Sequence, residues 1–281
     1  MYKALGTGAI GVKADLAQAA ALAQHHRFAG VYVDVREVRT LGVERARQVL
    51  REAGVRAAGF GLPVDYRLAE PEFAAALAEL EALAPLAAAL DITRTSTWVP
   101  SWHDERDLAA NYAFHVDRFG RIARVLRRHG IRLGLEFLGP KHLRDGHPYA
   151  FIHTMDGMLQ LARDIGTGNV GLLFDAFHWY TSGGVPADIA RLSDADIVDV
   201  HVNDAIPGLA PEEQQDQVRA LPGETGVIDL VAFLRGLAQI GYSGPVMVEP
   251  FSQRVRSLPP EEAVRVTAEA LDKVWREAGL A

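Results

Sequence analysis

Four ionisable side chains of this 281-residue sequence occupy comparable places, each at or near the end of a short apolar segment. The segments LGLEF, GLLFD, VDVHV and VMVEP contain, in chain order, Glu136, Asp175, His201 and Glu249. Three carboxylates brought close together repel one another and resist ionisation, and a divalent cation relieves that repulsion. Because three carboxylates and one imidazole suit a hard or borderline metal ion, the pattern predicts a metal site where the four segments meet.

The elements that would position these side chains are eight apolar, strand-like segments separated by amphipathic helical segments rich in Ala and Leu. Strands that alternate with helices indicate βαβ units and a parallel sheet, and eight such units in 281 residues suit a closed barrel. We therefore predict an α/β protein with a single (β/α)8 TIM barrel over residues 1–281 and no second domain. The predicted strands are 4–10, 30–38, 55–63, 89–97, 131–137, 169–175, 196–204 and 244–250.

An open, doubly wound sheet is the competing architecture, and it usually carries a glycine-rich phosphate turn after its first strand. The stretch GTGAIG (6–11) lacks that spacing and lies inside or at the end of the predicted first strand, which favours the barrel. In a barrel the carboxyl ends of all strands open on one face, where active sites lie. Since the last four strands are neighbours, we expect their ionisable side chains to converge there.

Composition restricts the chemistry and the partners of this chain. It has no cysteine, which excludes disulfides, thiolate catalysis and Cys-ligated zinc or iron–sulfur centres. A formal net charge of -7 gives no basic surface for nucleic acid. No stretch approaches the roughly 20 apolar residues of a membrane span, and the N-terminus lacks the features of a signal peptide. We expect a cytoplasmic protein without nucleic-acid or membrane partners.

The order of these motifs resembles the xylose-isomerase-like superfamily of sugar phosphate isomerases and epimerases. Its members include ketose 3-epimerases, inosose isomerases and dehydratases, hydroxypyruvate isomerases and apurinic-site endonucleases. The resemblance is carried by Glu136, by Asp175-Ala-Phe-His178, by His201-Val-Asn-Asp204 and by Glu249-Pro-Phe. The stretch from Arg219 to Asp229 is also similar to a segment of the sugar-acting members. The resemblance implies an isomerase or epimerase acting on a small sugar or keto-polyol.

The resemblance also implies a role for individual residues. Glu136, Asp175, His201 and Glu249 would bind one divalent ion; their oxygen-rich set favours Mn²⁺, and Mg²⁺, Co²⁺ or Zn²⁺ is compatible with it. Glu136 and Glu249 would in addition be the catalytic acid and base, which move a proton through a metal-stabilised enediolate. Six further residues near the same face would contact substrate: His178, Arg219, Lys141, Trp98, Trp179 and Asn203.

Three other functions stay open at this point. A metal-dependent lyase, such as an inosose or keto-sugar dehydratase, begins with the same proton removal, and the sequence does not separate it from an isomerase. An apurinic-site endonuclease binds three zinc ions through extra histidines, which the first three predicted strands lack. A non-catalytic sugar-binding barrel is compatible with the fold. The sequence leaves open the substrate and whether it is phosphorylated, and it is compatible with a homo-oligomer.

Overall fold

Eight parallel strands form a closed barrel in the computed structural model, which describes residues 1–280. Each strand pairs with the barrel strands that precede and follow it, and the first strand pairs with the last. This arrangement confirms the predicted (β/α)8 fold. The strands are β1 (Tyr2–Leu5), β2 (Gly30–Tyr32), β3 (Arg56–Gly61), β4 (Arg94–Val99), β5 (Arg132–Phe137), β6 (Val170–Asp175), β7 (Ile197–Val202) and β8 (Pro245–Val248).

Helices connect the strands. They are α1 (Leu16–His25), α2 (Val35–Leu41), α3 (Val43–Ala53), α4 (Glu70–Ala88), α5 (Leu108–Arg127), α6 (Met155–Ile165), α7 (Ala176–Thr181), α8 (Pro186–Ile189), α9 (Leu230–Gln239), α10 (Gln253–Arg256) and α11 (Pro260–Glu277). Short 3₁₀ turns lie at Gly8–Ile10, Lys141–Leu143, Asp194–Asp196 and Pro211–Glu213. A two-stranded antiparallel sheet joins Trp102–His103 to Tyr149–Ala150.

Local sequence signals fix many of the helix ends. Asp15, Asp107 and Asp229 precede α1, α5 and α9, and each carboxylate accepts a first-turn backbone N–H at 2.8 or 2.9 Å. Gly54 and Gly166 end α3 and α6 in the left-handed conformation that glycine adopts without steric cost. These caps thus set where α1, α5 and α9 begin and where α3 and α6 end.

The core lies between the strands and the helix layer. Strands β5, β6 and β7 are buried almost throughout, which explains their near-continuous apolar sequences. Phe174 of β6 packs against Phe233 of α9, with ring centroids 5.1 Å apart. Within residues 1–280, no helix combines the length and the apolar character that crossing a membrane requires.

The first two strands end earlier than the sequence pattern predicts. Strand β1 stops at Leu5, and the following glycine-rich residues turn into the 3₁₀ segment Gly8–Ile10. Strand β2 stops at Tyr32, because the Asp34 carboxylate accepts the backbone N–H of Arg36 at 2.8 Å and begins helix α2. A helix cap thus outweighs the β-propensity of a valine-rich segment, since propensity alone is a weak determinant.

Candidate metal and substrate site

The last four strands bring four predicted ligands together at the carboxyl end of the barrel. Glu136 lies near the end of β5, Asp175 ends β6, His201 lies in β7 and Glu249 directly follows β8. Asp175 and His201 are partners in the register of β6 and β7. One candidate ligand atom from each of the four residues lies within 4.8 Å of those of the other three. This convergence is the one that the strand-end pattern predicts.

The four side chains perturb one another strongly because they share a buried site. Burial raises the pKa of Glu136 well above its usual range, and the negative charges of Glu249 and Asp175 raise it further. Burial also acts to raise the pKa of Glu249, but His201 and Arg219 outweigh it and lower that pKa. The carboxylates around His201 overcome its burial and raise its pKa to about 10. The two glutamates therefore have opposite ionisation preferences.

Two buried polar atoms of this cluster lack a hydrogen bond, and they bear on whether the residues suit a metal ion. Glu136 Oε1 and His201 Nδ1 are buried and form no hydrogen bond of normal geometry with a described residue; His201 Nδ1 lies 3.4 Å from Glu249 Oε2, and Glu136 Oε1 lies 3.7 Å from His178 Nε2. Buried polar atoms nearly always have partners, and a cation held between these side chains would give both atoms a closer one. Carboxylate oxygens with one imidazole nitrogen, all within 4.8 Å of one another, are donors that a divalent ion accepts. The residues fit a single divalent metal ion.

Arg219 lies within the ligand cluster rather than at its edge. Its Nη1 atom is 3.1 Å from Asp175 Oδ2 and 3.5 Å from Glu249 Oε2, and its Nη2 atom is 2.8 Å from Asp216 Oδ1. The guanidinium also lies 4.6 Å from the ring centroid of Phe251. Three carboxylate partners raise its pKa despite burial and keep it charged. Arg219 thus offsets part of the negative charge that the ligands carry.

His178 is positioned by the same strand end as Asp175. The Asp175 carboxylate caps helix α7 by accepting the backbone N–H of Phe177 at 2.6 Å, and His178 lies in the first turn. Its Nε2 atom is 3.2 Å from Arg219 Nη2 and 3.7 Å from Glu136 Oε1. Burial and the Arg219 charge lower the pKa of His178 to about 4, so its imidazole is neutral at physiological pH. His178 therefore places a neutral ring between Arg219 and Glu136.

Asn203 holds two of the ligands in place. Its Nδ2 atom donates to both carboxylate oxygens of Asp175, at 3.0 and 3.2 Å, and to the backbone oxygen of Glu249 at 3.2 Å. The side chain is fully buried. The structure thus gives Asn203 contacts with two candidate metal ligands, whereas the sequence pattern led us to expect contact with substrate. A residue of this kind orients ligands and tunes their basicity.

The segment between β7 and α9 carries Arg219 and is held to the barrel by Asp204. The Asp204 carboxylate accepts backbone N–H groups of Gly226 at 2.7 Å and of Ile228 at 3.0 Å. The backbone of Asp204 also forms two hydrogen bonds with Ala220, at 2.8 and 2.9 Å. One buried carboxylate therefore fixes a long connection at several points.

A cavity of about 620 Å³ opens directly above the ligands. Glu136, His201 and Glu249 contribute to its floor, so a small molecule in the cavity can reach the metal-binding atoms. The walls come from the ends of the first four strands and from the segment after β8, and they include Gly6, Thr7, Tyr32, Leu62, Trp98, Phe251 and Arg256. Its volume is ample for a monosaccharide or a comparable polyol.

The structure separates the remaining residues that we expected to contact substrate. Trp98 lines the cavity and is 42% exposed, and although the Arg67 guanidinium lies over its ring at 4.9 Å from the centroid, the exposed part of the indole can contact a ligand. Trp179 is 4% exposed and packs against Phe233 with ring centroids 5.3 Å apart, outside the cavity lining. Lys141 lies on an exposed loop, pairs with Asp145 at 2.9 Å and does not line the cavity. Of these three residues, the structure brings only Trp98 to the cavity.

Sequence reasoning missed several side chains of this region. Asp216 pairs with Arg219, but it lies in a connection without any periodic pattern that would place it. Asp199 is buried in β7 and binds the hydroxyl groups of Tyr32 and Ser96. The sequence does indicate the position of Asp199, because Asp199 precedes His201 by two residues and side chains two residues apart in a strand face the same side.

The chain is similar to known proteins along nearly its whole length. A family described as "Xylose isomerase-like TIM barrel" matches residues 14–274, and the chain belongs to that family. It is also similar to a solved xylose isomerase domain protein from Alicyclobacillus acidocaldarius, with 30% identity over 99% of both chains and a TM-score of 0.88. A solved IOLI protein with a bound zinc atom has the same fold, with a TM-score of 0.81 and 19% identity over 98% of both chains.

Two curated relatives match part of the sequence. The inosose isomerase of Bacillus licheniformis is 28% identical over 162 residues, which are 58% of this chain and 55% of that protein. The 3-dehydroshikimate dehydratase of Pseudomonas aeruginosa is 30% identical over 155 residues, which are 54% of this chain and 23% of that protein. The matched region thus spans about half the length of the inosose isomerase and less than a quarter of the dehydratase.

Proposed function

We propose that this chain is a divalent-metal-dependent isomerase or epimerase that acts on a small sugar or keto-polyol. One observation carries the proposal: Glu136 and Glu249 flank Asp175 and His201 beneath a cavity of about 620 Å³. This arrangement puts two groups that can transfer a proton at the floor of a cavity large enough for a monosaccharide. The similarity to an inosose isomerase supports a polyhydroxylated cyclic or linear ketone as the substrate.

The proposal includes one divalent ion held by Glu136, Asp175, His201 and Glu249. Three carboxylates and one imidazole favour Mn²⁺, while the zinc atom of the IOLI protein supports a site that also takes Zn²⁺; Mg²⁺ and Co²⁺ suit the same donors. When bound, such an ion polarises a carbonyl oxygen and makes the neighbouring C–H bond more acidic.

The two glutamates divide the proton transfer between them. Glu249, whose pKa is lowered, is ionised and suited to take the proton from the carbon next to the carbonyl. Glu136, whose pKa is raised in the metal-free site, is the more basic of the two carboxyl groups and is therefore suited to carry a proton to the product during the reaction. Carboxyl groups whose environments shift their pKa values apart typically act as such an acid–base pair. In the reverse reaction the two residues exchange roles.

The neighbouring residues orient the substrate and balance the charge of the site. Arg219 and the neutral His178 ring, both expected to contact substrate, are buried beside the two glutamates and do not line the cavity, so they would balance the charge of these carboxylates rather than contact the substrate directly. Trp98 offers an apolar wall against which the C–H face of a sugar can pack. Asn203 donates hydrogen bonds to Asp175 and to the backbone of Glu249, and so fixes the positions of these two residues relative to each other.

Exchange with heavy water tests the proposed function. The Mn²⁺-loaded protein is incubated in D₂O with a panel of ketoses, inososes and keto-sugars, and the products are followed by NMR and mass spectrometry. We expect deuterium at the carbon next to the carbonyl and no other change of mass. Glu249→Gln should lose this exchange while it keeps the circular dichroism spectrum of the folded barrel. Sugar binding without exchange across the panel would instead support a non-catalytic sugar-binding barrel.

A dehydratase is the second candidate, and the similarity to a 3-dehydroshikimate dehydratase favours it. A dehydration of this type also begins with removal of a proton next to a carbonyl, so the same glutamates would serve it. The heavy-water experiment separates the two reactions, because a lyase product also lacks one water. A product that lacks one water would replace the isomerase proposal with the lyase.

A further inference from the structure

Two arginines line the cavity, and they differ in their partners. Arg36 on α2 donates from Nε and Nη2 to the two carboxylate oxygens of Glu79, at 3.1 Å each, and from Nη2 to Pro63 O. Arg256, the last residue of α10, forms no ion pair or side-chain hydrogen bond with any residue from 1 to 280. Its guanidinium is therefore available to an anion that enters the cavity.

Two contacts restrict the side chain of Arg256, which lines the cavity and is exposed to solvent. A Cβ atom at Gly11 would lie 3.0 Å from Arg256 Cγ and 3.2 Å from its Cβ, so the stem of Arg256 packs closely on the turn after β1. The guanidinium carbon lies 5.1 Å from the ring centroid of Phe251, at the distance of a cation–π contact. Because Phe251 follows the ligand Glu249 by two residues, the position of Arg256 is tied to the metal-binding strand end.

The cavity also has room for a charged group on this side. Cβ atoms built at Gly8 and Gly61, which both line the cavity, meet no atom within 4 Å. Asp34, the further carboxylate of the lining, is engaged in capping helix α2 through the backbone N–H of Arg36. Of the charged residues on this wall of the cavity, Arg256 is thus the cation that is available to bind an acidic ligand.

We propose that Arg256 binds a carboxylate of the substrate, so that the substrate class is an acidic keto-sugar or keto-polyol rather than a neutral one. This inference rests on the proposed function and specifies its substrate. A guanidinium presents paired N–H donors that match the two oxygens of a carboxylate. One free positive charge balances one carboxylate, whereas a phosphate dianion would leave a negative charge without a partner.

Binding of two matched polyols tests the inference without any turnover. D-Gluconate and sorbitol have six carbons each and differ at one end by a carboxylate. We would titrate both into the Mn²⁺-loaded protein by calorimetry and compare wild type with Arg256→Gln, Arg256→Lys and Arg254→Gln. Arg254 is the matched control, because it lies on the same helix, pairs with Glu224 at 2.7 Å and does not line the cavity.

We expect wild type to bind gluconate more tightly than sorbitol. Arg256→Gln should weaken gluconate binding roughly tenfold or more, since a hydrogen bond to a charged partner is lost. Arg256→Lys should retain part of the preference, and Arg254→Gln should leave it unchanged. All four proteins keep the metal ligands, so any contact between gluconate and the metal is common to them.

Gluconate binding that is equal in wild type and Arg256→Gln would overturn the inference. Tighter Arg256-dependent binding of sorbitol 6-phosphate than of gluconate would overturn the assignment to a carboxylate. A failure of the proposed function has a different signature: no deuterium exchange with neutral or acidic substrates, together with gluconate binding that still depends on Arg256.

Discussion

Arg219 Nη1 lies 3.1 Å from Asp175 Oδ2, and both side chains are fully buried. The same guanidinium contacts Asp216 and lies 3.5 Å from Glu249, so one cation is shared by three carboxylates. Loss of one partner of a buried ion pair leaves uncompensated charge in a medium that solvates it poorly. The stability of this site therefore depends on Arg219 as well as on a bound metal.

We expect Arg219→Met to lower the free energy of unfolding of the metal-free protein by about 3 kcal/mol. Added Mn²⁺ should recover more stability in this variant than in wild type, because the metal then compensates carboxylates that have lost their cation. Urea unfolding with and without Mn²⁺ measures both effects. Arg254→Met, which removes an exposed arginine with one acidic partner, serves as the control. Equal metal-free stability of Arg219→Met and wild type would contradict the account.

Asn203→Ala should weaken metal binding by roughly tenfold to hundredfold, because residues that orient metal ligands typically have effects of this size. Asn169→Ala is a matched control: Asn169 is also buried, but its Nδ2 atom donates to Ala123 O and Ile131 O away from the site. That control should destabilise the fold and leave metal affinity unchanged. Calorimetric titration with Mn²⁺ gives the affinity. An Mn²⁺ affinity of Asn203→Ala equal to that of wild type would show that Asp175 does not depend on Asn203 for its orientation.

Metal binding at pH 7.5 should release about one to two protons. The pKa of His201 is raised to about 10 and that of Glu136 is raised well above its usual range, so the metal-free site holds protons that ligation must displace. Metal affinity should accordingly increase as the pH rises toward the pKa of His201. Calorimetry in buffers with different ionisation enthalpies counts the released protons. A binding enthalpy that does not depend on the buffer would contradict this prediction.

The two tryptophans that we expected at the substrate should behave differently. Trp98→Ala should raise KM roughly three- to tenfold with little change in Tm, because it removes an exposed aromatic wall of the cavity. Trp179→Ala should cost about 3 kcal/mol or more of stability, because its ring is buried against Phe233. Steady-state kinetics and thermal unfolding of both variants give the comparison. A large increase of KM in Trp179→Ala without loss of stability would instead indicate that Trp179 contacts the substrate.

The parts of the site that could be predicted are those that strand geometry determines. Glu136, Asp175 and Glu249 each interrupt an apolar run at its carboxyl end, and barrel topology then places them together. The second strand was predicted too long because Val35 and Val38 read as strand residues. In the structure both are buried on one side of α2, which Asp34 caps, and their separation of three residues is the spacing of a helix face rather than the alternation of a strand.

The connections could not be predicted in the same way. Lys141 and Asp216 both lie in segments without periodicity, so the sequence gives their distance along the chain but not their direction in space. Lys141 ends in a surface pair with Asp145, whereas Asp216 reaches the buried Arg219. Only tertiary contacts such as those of Asp204 determine which of two charged loop residues faces the barrel.

The attachment of the connection after β7 to Asp204 has a consequence for protein engineering. That connection carries Arg219 and Asp216 and is fixed to the strand that holds His201, so changes in it would disturb the chemical centre itself. The walls of the cavity are built from other connections, including Gly6 to Ala9, Leu62 and Pro63. A mutant library that varies only these wall connections would alter which molecules the cavity accepts and leave the reacting groups intact. Selection for a new substrate should therefore begin with these connections.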